Sequence, residues 1–144
     1  MKLQRVFGVT GWKNSGKTML VERLIAEFVR RGWRVSTIKH AHHDVDIDRP
    51  GRDSYRHRVA GASEVALVGG RRYAIMREQA EPMLADVLAR LSPVDLVLIE
   101  GYKREAHDKI EVRAGDAPSL AAADPGIVAI AADAAPPEVL LPWF

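Results

Sequence analysis

The chain contains no cysteine, which excludes a disulfide framework and any metal site built on thiolates. It also contains no apolar run approaching the roughly 18 residues of a membrane-spanning helix, so no membrane partner is expected. The first residues, Met1-Lys2-Leu3-Gln4-Arg5, lead directly into a predicted strand and lack the apolar segment of a signal peptide. A cytoplasmic location is the expectation. Excess charge of one sign is missing as well. With 21 Lys and Arg against 19 Asp and Glu, the formal net charge is only +2. Aromatics make up 6% of the residues, and they do not interleave with basic residues as in a nucleic-acid surface. No nucleic-acid partner is expected. No repeat or low-complexity segment occurs. What remains is a 144-residue chain with 47% hydrophobic and 28% charged residues, ordinary for a globular protein. Its length fits one domain over residues 1–144.

Residues 11 to 18 read Gly-Trp-Lys-Asn-Ser-Gly-Lys-Thr, a full G-x-x-x-x-G-K-[ST] phosphate-binding pattern. Its context is the required one. Val6-Phe7-Gly8-Val9-Thr10 before it has the character of a buried strand. The stretch from Met19 to Val29 after it has the character of an amphipathic helix. Glycines let the backbone wrap round a phosphate with N–H groups pointing inward, and the helix N-terminus adds the positive end of a dipole. Gly11, Trp12, Lys13, Asn14, Ser15, Gly16, Lys17 and Thr18 are therefore the candidate nucleotide ligands. Lys17 is assigned to the β- and γ-phosphates and the Thr18 hydroxyl to Mg²⁺.

Along the rest of the chain, the first helix is predicted to end at Gly32 behind Arg30-Arg31. Val35-Ser36-Thr37-Ile38 is a strand, Lys39 to Pro50 a polar loop, and residues 53–61 a short helix. Glu64 to Val68 and Arg72 to Met76, separated by Gly69-Gly70, predict a β-hairpin near 64–76. A helix over about Met83 to Leu91 precedes Leu96-Val97-Leu98-Ile99, whose unbroken apolar character suits the centre of a parallel sheet. Lys109-Ile110-Glu111-Val112 alternates, as a peripheral strand would, and Ile127 to Ile130 is the last buried strand. Strands alternating with helices predict an α/β fold in which a mostly parallel sheet is flanked by helices, with ligands at the strand C-termini. Residues 131–137 read as a loop, and the apolar end from Val139 to Phe144 is expected to pack on the body or on another subunit.

A phosphate loop needs an acidic partner for Mg²⁺ at the end of a neighbouring strand. Glu100, ending Asp95-Leu96-Val97-Leu98-Ile99-Glu100, occupies that position. Asp44, Asp46 and Asp48 follow the second strand; Asp44 is slightly preferred as a further metal-facing carboxylate, and all three equally fit loop-solvating charges. His40, His42 and His43 are read first as polar loop residues near phosphate or substrate, with a zinc or nickel site and plain exposed loop residues as the alternatives. The basic residues Arg49, Arg52, Arg56, Arg58, Arg71 and Arg72 form either a solvated face or a surface for an anionic ligand, and Arg52, Arg56 and His57 share one possible helix face. Lys13 reads by default as an exposed loop residue, one position away from where some dimeric phosphate-loop proteins place a second, partner-directed lysine. Asp133, in Ala131-Ala132-Asp133 after the last strand, stands about where a guanine-pairing aspartate is found, although no Asn/Thr-Lys-x-Asp stretch is present. No residue can be assigned as the one that positions an attacking water.

Four ordered blocks, at 11–18, at 37–44 (Thr-Ile-Lys-His-Ala-His-His-Asp), at 53–62 (Asp-Ser-Tyr-Arg-His-Arg-Val-Ala-Gly-Ala) and at 95–103 (Asp-Leu-Val-Leu-Ile-Glu-Gly-Tyr-Lys), resemble the MobB family of GTP-binding adapters in molybdopterin guanine dinucleotide synthesis. The resemblance spans about residues 6 to 133. It implies a three-layer P-loop NTPase fold, GTP and Mg²⁺ as ligands, a homodimer, slow GTP hydrolysis at most, and partnership with the guanylyltransferase MobA, with molybdopterin as a further ligand. It places Gly16, Lys17 and Thr18 at phosphates and metal, Glu100 on the metal side, and Lys39, His40 and Asp44 in the loop facing the nucleotide. Relatives often continue into a further helix where this sequence ends at Phe144. The alternative reading is a small-molecule kinase or ATP-dependent ligase of the dethiobiotin synthetase type, holding an acidic acceptor through Arg52 and Arg56. A GTP-driven nickel chaperone is disfavoured by the absence of cysteine.

Overall fold

The structure is a computed structural model, and it describes residues 4–41 and 47–132. In chain order the elements are β1 (Arg5–Thr10), α1 (Lys17–Arg30), β2 (Val35–Lys39), α2 (Asp53–Val59), β3 (Glu64–Val68), β4 (Tyr73–Arg77), α3 (Leu84–Arg90), β5 (Leu96–Glu100), β6 (Lys109–Val112) and β7 (Ile127–Ala131). The chain divides into two compact units, one made by residues up to 40 and from 88 onward, the other by residues 41–87. Among the described residues no helix is long and apolar enough to cross a membrane.

The first unit is built on a five-stranded sheet in the order β2-β5-β1-β6-β7, with every pair parallel. β5 pairs on both edges, and Leu96, Val97, Leu98 and Ile99 are all buried. Its continuous apolar run reflects a strand covered on both faces. Register carries the strand ends to a common level: Glu100 of β5 lies opposite Lys39 on one side and Val9 on the other. Helix α1 packs through Leu20, Val21, Leu24 and Ile25 onto Val9, Ile110, Val112 and Ala131, an i, i+1, i+4, i+5 stripe on one helix face. It ends in a Schellman turn. Trp33 N–H donates to Phe28 O at 3.0 Å and Gly32 N–H to Val29 O at 2.9 Å, with Gly32 at φ +82° as that turn requires.

β6 departs from the expectation of a peripheral strand. It lies inside the sheet between β1 and β7, and its two charged residues, Lys109 and Glu111, are wholly inaccessible. Each has dedicated partners. The Lys109 ammonium pairs with Asp124 at 3.2 Å and donates to the Glu105 carbonyl. The Glu111 carboxylate accepts from Leu120 N–H at 2.8 Å and from Ser119 Oγ at 3.0 Å. Alternation of polar and apolar residues reports two chemically different faces, but not whether the polar face meets water or buried partners.

The second unit holds α2 and the antiparallel β3–β4 hairpin, registered from Glu64↔Arg77 to Val68↔Tyr73. The predicted hairpin is therefore present. Val65 and Met76 supply its buried pair, whereas Leu67, Val68, Tyr73 and Ile75 are exposed. The start of α2 is fixed by Asp48, which accepts from Ser54 Oγ at 2.9 Å and from Arg58 Nε at 3.1 Å. Arg58 also reaches Glu78 at 2.7 Å.

Candidate functional site

β1 delivers the chain to the phosphate loop through Val9 and Thr10, both buried. Gly11 then adopts φ +151°. A β-carbon there would lie 2.5 Å from the Val112 carbonyl oxygen and 2.6 Å from Ser15 Oγ, so no side chain fits. Asn14 at φ +60° and Gly16 at φ +99° complete the turn, and Ser15 N–H closes it onto Trp12 O at 3.2 Å. Gly16 is the N-cap of α1 and offers no capping side chain, and the first turn of α1 carries no acidic residue. The positive end of the helix is thus left uncompensated beside the loop. The hydroxyls Thr10 Oγ1 and Ser15 Oγ are buried without a hydrogen-bond partner among the described residues.

Lys17 folds back over this loop, donating from Nζ to Gly11 O at 3.0 Å and to Trp12 O at 3.4 Å. Burial pushes its ammonium below the usual lysine range, and the positive charges of Lys103 and Lys39 push the same way, against the attraction of Glu100. An ammonium held under such conditions is poised for an anion.

The two metal-side residues predicted from opposite ends of the sequence meet. Thr18 Oγ1 donates to Glu100 Oε1 at 3.0 Å, and the Lys39 ammonium stands 3.9 Å from the same oxygen. The donor set suits Mg²⁺, a hard cation that takes oxygen ligands and keeps waters and substrate phosphates as the remainder. Thr18 and Glu100 are the residues that would hold it. Exchange of Glu100 for glutamine preserves shape and removes charge. The expected result is a Mg²⁺ requirement for triphosphate binding shifted to about 10- to 100-fold higher metal concentration, read by titrating Mg²⁺ into protein and nucleotide. An unchanged titration would remove Glu100 from the metal side.

Pairing of β2 with β5 positions the neighbouring residues. His40 N–H donates to Glu100 O at 2.9 Å, and the His40 ring stacks on Tyr102 with centroids 4.2 Å apart. Gly101 at φ +97° allows this approach, since a β-carbon would lie 3.0 Å from His40 Cβ. Trp12 extends from the loop and donates from Nε1 to Pro118 O at 2.7 Å, with the Lys103 ammonium 5.7 Å from its ring centroid. Lys103 and the segment around Pro118 received no role from sequence. A signal for Lys103 existed, in a cation three residues beyond the metal-side glutamate.

Other candidates are placed differently. Lys13 is exposed in the loop. Asp48 is committed to Ser54 and Arg58, so it serves the start of α2 rather than a metal. Arg52, Arg56 and His57 are exposed on or beside α2. Asp44, Asp46, His42, His43 and Asp133 lie outside the described residues. A groove of about 250 Å³ opens beside the loop, lined by Ser15, Gly16, Leu20, Val112, Arg113 and Ala131. A larger one of about 650 Å³, lined by Arg5, Trp33, Arg34 and Asp95, is at the N-terminal ends of the strands. Ligands of open α/β sheets bind at the other end, which selects the smaller groove.

A family model described as molybdopterin guanine dinucleotide synthesis protein B, MobB, matches residues 6–133. The chain is 46% identical over 108 residues to the molybdopterin-guanine dinucleotide biosynthesis adapter protein of Haemophilus influenzae, covering 73% of this chain and 61% of that protein. It is 39% identical over 130 residues to the adapter protein of the same description from Escherichia coli, covering 85% of this chain and 74% of that one. Among solved structures, the MobB protein homolog from Bacillus stearothermophilus superposes with a TM-score of 0.70 at 32% identity, over 96% of this chain and 86% of that one. The mostly parallel sheet flanked by helices, with its small antiparallel hairpin, is the P-loop NTPase fold of these neighbours. The motif, the Thr18–Glu100 pairing, the fold and the matched length agree, and the chain belongs to the MobB family.

Proposed function

We propose that this chain is a GTP-binding adapter of molybdopterin guanine dinucleotide synthesis, acting with a MobA-type guanylyltransferase that joins GMP to molybdopterin. The observation that carries the reading is the convergence of Lys17, Thr18 and Glu100 on one loop mouth, with Thr18 and Glu100 3.0 Å apart. GTP and Mg²⁺ are the ligands: Gly11, Trp12, Lys13, Asn14, Ser15, Gly16 and Lys17 surround the phosphates, Thr18 and Glu100 hold the metal, and Lys39 and His40 face the nucleotide from β2. Mg²⁺ supplies charge neutralisation at the phosphates. Asp44 and Asp133 complete the set as metal-side and base-side carboxylates. The described adapter relatives in Haemophilus influenzae and Escherichia coli support this pathway.

Hydrolysis is slow in this reading. P-loop hydrolysis draws large factors from a water-positioning residue and an arginine finger. No residue of this chain is assigned to either part, and Glu100 is already engaged by Thr18. The protein works as a homodimer in the cytoplasm. The exposed apolar residues of the hairpin support association, because a two-stranded hairpin is marginal by itself.

Titration calorimetry with GTP and with ATP, each with Mg²⁺, tests the assignment. GTP is expected to bind at least about tenfold more tightly, a difference of about 1.4 kcal/mol, and the GTP-loaded chain to retain a MobA-type enzyme in a pull-down. Preference for ATP, with turnover on adding a small acidic acceptor, would replace the adapter with a kinase or ligase.

A further inference from the structure

Lys103 is held in an unusual way. The chain leaves β5 through Glu100 and then passes two consecutive left-handed residues, Gly101 at φ +97° and Tyr102 at φ +51°. Such a conformation is uncommon for a tyrosine, and it persists where surroundings over-determine it. Here the Tyr102 ring is clamped by stacking on His40. The double turn brings Lys103 back beside the phosphate loop. Its ammonium comes to 5.7 Å from the Trp12 ring centroid, and Trp12 is itself pinned through Nε1 to Pro118 O.

Among the described residues Lys103 makes no ion pair, so its charge faces an aromatic ring, a contact that is weak at exposed positions. It is also the charged group that most strongly depresses the ammonium of Lys17. Lys17, Lys39 and Lys103 thus converge on a mouth where Glu100 is the carboxylate among the described residues. Three ammonium groups exceed what a diphosphate with its metal needs. They suit a ligand with one further phosphate.

We propose that Lys103 is a specificity-determining residue of the nucleotide site: with a triphosphate bound, its ammonium leaves the Trp12 ring and hydrogen-bonds the terminal phosphate, so that the chain distinguishes triphosphate from diphosphate. The inference rests on the triphosphate reading of the loop. Trp12 serves as the resting place of the cation. An apolar stem merely covering the Trp12 ring would leave both ligands unaffected by its head group.

The test measures the affinity of a non-hydrolysable GTP analogue and of GDP, both with Mg²⁺, for the unaltered chain and for Lys103→Gln, Lys103→Arg and Lys17→Ala. Thermal melts of the four proteins control for folding. Lys103→Gln is expected to lose about 10- to 100-fold for the triphosphate, the range of one charged hydrogen bond, and less than about threefold for GDP. Lys103→Arg is expected to recover most of that loss. Equal losses for both ligands, or no loss while Lys17→Ala weakens both, would overturn the role of Lys103. A Lys17→Ala protein that binds like the unaltered chain would instead overturn the phosphate-loop reading itself.

Discussion

Lys17→Ala is expected to weaken Mg²⁺-triphosphate binding by about 3 kcal/mol, about 100-fold or more, while leaving the melting temperature unchanged or slightly raised. The affinity term follows from losing a charged hydrogen bond to phosphate in a partly desolvated loop, where such bonds exceed neutral ones about twofold. The stability term has the opposite sign because the folded chain disfavours this charge. Burial, then Lys103, depress the ammonium of Lys17. A lysine whose folded value lies below its unfolded one subtracts stability while it is charged. Removing it relieves that penalty and forfeits only two contacts to loop carbonyls. The same sign gives a pH dependence: triphosphate affinity falls as pH rises through the depressed Lys17 value, because binding above it must take up a proton. Calorimetry and melts on the two proteins separate the effects. Unchanged affinity would sink the assignment of the loop.

The second large effect is at Glu111, inside the sheet and far from any surface that sequence would single out. Its wholly buried carboxylate accepts from Leu120 N–H and Ser119 Oγ and faces Arg113 Nε at 3.8 Å. Arg113 in turn donates to Ala117 O at 2.7 Å. Glu111 therefore organises the segment 113–120, which includes Pro118, the acceptor for Trp12 of the phosphate loop. Taking the carboxylate away removes the acceptor of Leu120 N–H and Ser119 Oγ and the anion that faces Arg113. Breaking a buried pair from one side costs about 3–5 kcal/mol. Glu111→Ala is expected to lower the melting temperature by roughly 10 °C, at about 2–4 °C per kcal/mol for a chain near this size. Glu111→Gln keeps an acceptor and should fall between the two. A Glu111→Ala melt within 2 °C or so of the unaltered chain would show that the segment is held otherwise.

The division between what could be read in the residues and what could not is physical. Gly11 to Thr18 was legible because a phosphate loop is made by consecutive residues: glycine conformations, a lysine and a hydroxyl at fixed offsets need no distant partner. The apolar run from Leu96 to Ile99 was legible because a strand covered on both faces must be apolar throughout, and Glu100 followed as the residue that ends it. Gly69-Gly70 between two apolar runs likewise marked the hairpin now seen as β3 and β4. Local backbone preference and the period of burial sufficed for each of these.

Residues whose meaning depends on a partner far along the chain were not legible. The alternation of Lys109 and Glu111 with apolar residues read as a peripheral strand, yet both are sealed between β1 and β7 with Asp124, Ser119 and Leu120 as partners. Asp48 had the look of a metal-loop carboxylate and proved to anchor Ser54 and Arg58. The order β2-β5-β1-β6-β7 likewise had no local signature, because it is set by which strands meet in space. Sequence alone determined the G-x-x-x-x-G-K-T loop between strand and helix and the glutamate that ends the apolar strand, since those are properties of short contiguous segments and their periodicity. Only the tertiary structure decided that Thr18 and Glu100 touch across 82 residues and that Lys103 rests on Trp12. It also decided that Glu111 supports the segment to which Trp12 is tied. These are through-space pairings, fixed by sheet register and close packing, and no local pattern encodes them.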